Sequence, residues 1–240
     1  MHSDEDREPN PGLERARHEL RSLTPKPHLT NDMLRSGIHT RGYLPHVKCE
    51  GKSYFVTFRL ADALPKEVLL KFEAEKAQRL RQLYAAGRRG IPITDTEEAI
   101  NRDFRRHVER YLDQGHGACH LRRSEIANLV SESILFFEPK RYVLGDWVVM
   151  PNHVHVVVWP MPNQVLSSIL KTWKQFTSRR AKKMLGIEAE KFWQPESYDH
   201  WIRNDDEKAR ISRYIRNNPV AAGLCPKPEL WRWSSSWLEP

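Results

Sequence analysis

Apolar positions along this chain switch between two periods, and the switches mark its elements. The run Ser53-Tyr-Phe-Val-Thr-Phe-Arg-Leu60 is dense in aromatic and β-branched residues, which predicts a first strand. Asp62-Ala-Leu-Pro65 breaks it. From 66 to about 84 the apolar residues Val68, Leu69, Phe72, Leu80 and Leu83 recur at helical spacing. A basic, glycine-containing turn follows over 87–95. A second helix is predicted over 97–112, with Phe104, Val108, Tyr111 and Leu112 on its buried side. A third is predicted over 121–137, striped by Ile126, Leu129, Val130 and Ile134.

Period two then returns. Residues 141–150 and 153–159 flank Pro151-Asn152 and should pair as an antiparallel hairpin. On its second strand His153, His155, Val157 and Trp159 share one face, while Val154, Val156 and Val158 share the other, the natural core side. Pro160-Met-Pro162 ends it. A long helix is predicted over 163–185 on the stripe Leu166, Ile169, Leu170, Trp173 and Phe176. Around that stripe lie Lys171, Lys174, Arg179, Arg180, Lys182 and Lys183. The last helix starts at Asn204, with Glu207 three residues after the cap. It should end near Asn218, because Pro219 disfavours helical geometry in the residue before it.

Charge narrows the partner. Lys plus Arg total 39 against 31 Asp plus Glu, a net charge of +8 over 240 residues. That balance favours an anionic partner, of which nucleic acid is the commonest. Residues 1–41 are polar and punctuated by Pro9, Pro11, Pro25 and Pro27, which reads as an extension preceding a domain over 42–240. Cys49, Cys119 and Cys225 are odd in number and far apart, so no disulfide framework is expected and a reducing cytoplasm fits. No apolar run suits a membrane span, and the first residues lack the apolar core of a signal peptide.

The chemistry concentrates in two places. His153 and His155 lie two apart on a strand, so both imidazoles project from one face and can share a metal ion. Their bland reading is a pair of strand histidines with no metal. Zinc fits less well, because no cysteine or further histidine closes the site at the familiar spacings. Tyr214 and Asn218 lie four apart on the last helix and share a face. If that face meets the histidines, the Asn218 amide oxygen becomes a third ligand and the phenol stands beside the metal. The bland reading packs Tyr214 with Ile211 and Ile215, and makes Asn218 a helix-terminal residue. Tyr198, with His200 beside it, is a second candidate nucleophile.

The stretches Met150-Pro-Asn-His-Val-His, Phe192-Trp-Gln-Pro-Glu-Ser-Tyr-Asp-His200 and Tyr214-Ile-Arg-Asn-Asn-Pro-Val-Ala-Ala-Gly-Leu224 together resemble the REP-associated tyrosine transposases. These are relatives of the single-tyrosine HUH transposases, and the resemblance runs from about Gly42 to Trp237. It implies an α+β, ferredoxin-like or RRM-like HUH fold, an antiparallel sheet with helices. It implies His153 and His155 as metal ligands, Tyr214 as nucleophile, and Mg2+ or Mn2+ as cofactor. Mobile-element relatives carry glutamine where this chain has Asn218, one methylene shorter. The implied reaction cuts single-stranded DNA at repetitive extragenic palindrome-like hairpins. It leaves a 5′-phosphotyrosyl link and a free 3′-hydroxyl, so rejoining needs no nucleotide hydrolysis.

Against that pattern, 66–137 is a helical insertion after the first strand. Its arginines (among them Arg79, Arg102, Arg105, Arg106 and Arg122) either clamp a DNA hairpin or form a solvated face. The basic set on the long helix is the expected DNA contact. Trp231, Trp233 and Trp237 either stack on bases or pack in the fold. Two other functions compete with the nuclease: a regulator that holds DNA or RNA in the same fold without cutting, and a metal-dependent hydrolase of another phosphate ester with Tyr214 structural. No membrane partner is expected, and the sequence leaves monomer and homodimer equally open.

Overall fold

The computed structural model describes residues 37–41, 44–48, 51–89, 96–187 and 190–237, the first two stretches as backbone only. Strands β1 (Gly37–Arg41) and β2 (Leu44–Lys48) pair antiparallel, Gly37 opposite Lys48. Paired structure therefore begins five residues before the expected domain boundary, inside the stretch read as an extension. Most of that extension and Cys49 lie outside the described residues, as does most of the basic turn, from residue 90 to 95.

The main sheet has four strands: β3 (Tyr54–Arg59), β4 (Tyr142–Val149), β5 (His153–Pro160) and β6 (Tyr198–Trp201). Their spatial order is β4-β5-β3-β6 and every pair is antiparallel. Between β3 and β4 come α1 (Lys66–Arg88), α2 (Glu97–Asp113) and α3 (Ser124–Leu135). Helix α4 (Leu166–Leu185) links β5 to β6, and α5 (Asp205–Ala221) follows. A strand, a helical crossover, a hairpin, a second crossover and a fourth strand at the edge make the expected ferredoxin-like α+β arrangement, with α1 and α2 added to the first crossover.

The two faces of β5 divide the protein. Val154, Val156 and Val158 face the main core with Val56, Phe58, Ile126, Val130, Ile134, Ile169, Trp173 and Phe176, so α3 and α4 cover the valine side. The other face carries His153, His155 and Val157. Ile215 packs there with Phe55, Val148, Met150 and Val157, flanked by Ile211 and Tyr214, so α5 covers the histidine side. Both faces of the central strand are buried, which its near-continuous apolar run allows.

Helix α5 is locked down by its ends and its middle. Asn204 caps it, its side chain accepting from the Glu207 N–H at 2.8 Å, while Glu207 reaches back to the Arg203 N–H. Arg216 holds Asp146 with two bonds of 2.7 and 3.2 Å. Asp146 lies where the β4–β5 register shifts between Leu144 and Trp147. Gly145 in that irregularity admits close approach, since a Cβ there would stand 2.9 Å from Val157 Cγ1. The pair thereby aims α5 across the histidine face.

Several predicted boundaries move. α5 does not stop at Asn218 but runs to Ala221 with Pro219 inside and buried. The proline forfeits one N–H in the last turn, and the Ala222 and Leu224 N–H groups close that turn onto Asn218 and Pro219 carbonyls. The helix expected over 121–137 splits into a 3-10 turn (His120–Arg122) and α3, because Arg123 is extended at φ −74°, ψ 124°. α4 starts at Leu166 rather than 163, since Asn163 has φ 64° and cannot lie in a right-handed helix. α1 runs past 84 to Arg88. β6 was not anticipated as a strand.

Trp231 and Trp233 belong to the packing. The Trp231 Nε1–H donates to the Val149 carbonyl and that of Trp233 to Asn128. The Trp233 carbonyl accepts from the Val149 N–H, and Ser234 bridges Val148, so this segment covers the free edge of β4. Trp237 lies under the Arg232 guanidinium.

Candidate active site

The site is built where α5 crosses the histidine strand. His153 and His155 are both fully buried, and their Nε2 atoms converge to 3.0 Å. Each ring is fixed from behind. Asn152 donates through Nδ2 to the His116 carbonyl at 2.9 Å, so its Oδ1, 2.7 Å from His153 Nδ1, must accept that N–H. Thr57, directly across from His155 on β3, places its Oγ1 2.8 Å from His155 Nδ1. The Tyr214 hydroxyl lies 3.1 Å from His155 Nε2. With Nδ1 of His153 protonated, its Nε2 presents a lone pair towards His155, and the convergence of the two Nε2 atoms suits a shared cation when His155 donates its Nδ1 proton to Thr57.

Burial sets the charge states. It pushes His153 down to about 3, with Arg59 assisting, and holds His155 well below its ordinary value, with His153 adding to the effect. Both imidazoles are neutral near pH 7. Burial holds the Tyr214 phenol well above its ordinary value, the charges of Glu109 and Asp113 raise it further, and a hydrogen bond from Asn218 opposes them. Without a cation this tyrosine is a weak nucleophile.

Asp113 was not anticipated. It is the last residue of α2, beside buried Leu112, and its Oδ1 lies 3.8 Å from His153 Nε2. The Asn218 Nδ2 donates to the same oxygen at 3.4 Å. That turns the Asn218 amide oxygen the other way, where it is buried with no hydrogen-bond partner among the described residues. Burial raises Asp113 to about 6, and it raises Glu109, one turn earlier and helped by the Asp113 charge, to about 7. Nothing in the local sequence marks these acids. Only their spacing of four on a polar helix stripe does so, once the helix is known to reach the site.

The donor set fits a divalent cation: two neutral imidazole nitrogens with their second nitrogens anchored, an unpartnered buried amide oxygen, and a carboxylate close by. Among the described residues no three His, Cys, Asp or Glu side chains form a metal cage. Cys119 and Cys225 are free thiols and take no part.

The remaining candidates fall in two places. Tyr198 lies on the histidine face of β6, opposite Thr57, and shares with Tyr214 a cleft of about 270 Å3. Its phenol is pushed up to about 12 by burial, and it accepts a hydrogen bond from Arg105. His200 in the same cleft is 2.9 Å from Glu207. By contrast, α4 packs on the valine face, so Lys171, Lys174, Arg179, Arg180, Lys182 and Lys183 belong to the layer across the sheet from the histidines. Lys174 serves the fold there, donating to the carbonyls of Pro195 and Glu196 and to Ser197.

The sequence around this site is similar to that of known transposases. Residues 124–218, which hold both histidines, Tyr214 and Asn218, match the family described as Transposase IS200 like. That match spans less than half of the 240-residue chain. The chain is also similar to a REP-associated tyrosine transposase of Escherichia coli (strain K12), 30% identical over 97 residues, 39% of this chain and 54% of the relative. The resemblance carried by the motifs is thus borne out, and the chain spans about half the length of that curated relative. A solved REP-associated tyrosine transposase bound to a REP hairpin overlays 84% of this chain and 91% of its own at 17% identity and a TM-score of 0.46. A putative transposase from Deinococcus radiodurans overlays 75% of this chain and 96% of its own at 14% identity and a TM-score of 0.30. Among the described residues no helix is long and apolar enough to cross a membrane.

Proposed function

We propose that this chain is a metal-dependent single-strand DNA transposase that cuts and rejoins through Tyr214. The observation that carries the reading is the convergence of His153 and His155 Nε2 at 3.0 Å beneath the Tyr214 hydroxyl, with the amide oxygen of Asn218, one turn further along the same helix, buried and without a hydrogen-bond partner among the described residues. His153, His155 and Asn218 would hold Mg2+ or Mn2+. When bound, that ion supplies positive charge to a non-bridging phosphate oxygen and favours the phenolate.

The protein's own residues do the rest. Asn152 keeps the His153 Nε2 unprotonated, and Thr57 orients His155 so that both Nε2 atoms aim at one point. The Phe55 ring meets the Tyr214 ring edge-on at 6.1 Å and fixes its approach. Glu109, near neutrality in pKa and in the same cleft, is a group able to take up the phenolic proton. The tyrosine oxygen bonds to phosphorus as the bond to O3′ breaks, and O3′ takes a proton. The strand end is held as a 5′-phosphotyrosine. Attack by a 3′-hydroxyl reverses the step. A substrate of hairpin-forming repeats is the proposed target, in line with what the solved relative binds.

The experiment is incubation of labelled single-stranded hairpin oligonucleotides with Mg2+ or Mn2+, followed by denaturing electrophoresis. Nicked product that disappears with chelator supports the reading. Binding without cleavage under every metal would leave the non-catalytic regulator in its place, and cleavage in chelator would end the metal assignment.

A further inference from the structure

Helix α2 lies outside the family-matched segment 124–218, yet it forms one wall of the cleft that opens on Tyr214. Arg102, Arg105, Arg106, Glu109 and Asp113 recur at spacings of three and four and so share one stripe of the helix. The opposite stripe is taken up by packing, with Tyr111 edge-on to Phe72 of α1 and Leu112 in the main core. Across the cleft α5 presents Arg210, one turn before Tyr214. The guanidinium groups of Arg102, Arg105, Arg106 and Arg210 therefore line the same cleft as the Tyr214 phenol and the Glu109 carboxyl.

The arginines are placed for a ligand and do little for the fold. Arg106 has a side chain 63% exposed and stands 3.8 Å from Asp103, within its own helix. Arg102 and Arg210 are exposed. Arg105 donates to the Tyr198 hydroxyl. A guanidinium fork matches phosphate oxygens in pairs, and a row of them suits a polyanion better than a single anion.

We infer that α2 is a strand-binding wall added to the active site: Arg102, Arg106 and Arg210 grip the phosphodiesters that flank the scissile phosphate of single-stranded DNA. The inference rests on the proposed reading of Tyr214. It moves the strand from α4, where the sequence alone suggested it, to the opposite side of the sheet.

The test is fluorescence anisotropy with an unstructured single-stranded DNA oligonucleotide in chelator, over 50 to 200 mM salt. Each lost phosphate contact should reduce the slope of log affinity against log salt by about 0.7, so Arg102→Gln/Arg106→Gln/Arg210→Gln should flatten it by about 2. Lys171→Gln/Lys182→Gln/Lys183→Gln should leave it unchanged. Circular dichroism melting checks the fold, and Arg106→Gln alone, at an exposed site, should still remove about 0.7. If wild type binds the strand and the arginine variants keep its slope, or only the lysine variant loses slope, the inference falls while the tyrosine reading stands. If wild type neither binds single strands nor forms a covalent adduct once Mn2+ is supplied, the reading beneath it falls as well.

Discussion

Replacing Glu109 by Gln should stabilise the metal-free protein, and only at high pH. Glu109 is half-buried on α2, and burial, reinforced by the charge of Asp113, raises its carboxyl to about 7 from an ordinary 4.5. A carboxyl with a raised folded-state pKa binds more protons folded than unfolded between those two values. Its contribution is favourable below 4.5 and is lost as pH rises through about 7. The shift of roughly 2.5 units corresponds to about 3 kcal/mol, which partial solvation reduces to about 1–2 kcal/mol. Glutamine keeps the shape and cannot ionise. Urea unfolding in chelator should therefore show the variant and wild type nearly equal at pH 4.5, and the variant more stable by about 1–2 kcal/mol at pH 8.5, with unchanged m-values. A loss of stability at pH 8.5 would mean that Arg105 and Arg106 outweigh burial, and would refute the picture of an uncompensated acid in the cleft. An equal gain at both pH values would refute it too, since ionisation would then play no part.

Three further outcomes follow from the site. His153→Ala should abolish Mn2+ binding in calorimetry and cleavage on gels, yet leave oligonucleotide affinity within a few-fold; retained tight Mn2+ binding would remove this residue from the metal site. Asn152→Ala should weaken Mn2+ about 10- to 100-fold by freeing the His153 tautomer, and destabilise the fold by about 1–3 kcal/mol by orphaning the His116 carbonyl and His153 Nδ1–H; an unchanged metal affinity would contradict the tautomer argument. Arg216→Ala should cost less than about 1 kcal/mol of stability, because its side chain is 57% exposed despite the short bonds to Asp146, and a larger loss in denaturant titration would mean the pair does more than orient α5.

The sheet and the site differed in how far local sequence could reveal them. The alternation through 153–158 fixes which side chains share a face, so the histidine pair and its valine-covered reverse were legible from spacing alone. Asn204 and Glu207 announced α5, and its one-turn spacing put Tyr214 and Asn218 together. Pro219 misled because a pre-proline preference is local and weak, whereas burial of Asn218 and Pro219 is a tertiary effect. β6 was missed because four residues carry too little alternation. The α4 lysines and arginines sit around a stripe, and a stripe says that a helix packs without saying on which side of the sheet. Asp113 meets Asn218 across 105 residues of chain, a contact no local pattern encodes.

The claim that Tyr214 is the nucleophile is tested most directly by mass spectrometry of the protein after reaction with a single-stranded hairpin and Mn2+. The account predicts a covalent adduct, stable to boiling in detergent, carrying the DNA fragment 3′ of the cut on the peptide that contains Tyr214. Tyr214→Phe, which loses only the phenolic oxygen, should bind the strand and form none. An adduct on the Tyr198 peptide, or one that persists in Tyr214→Phe, would contradict it.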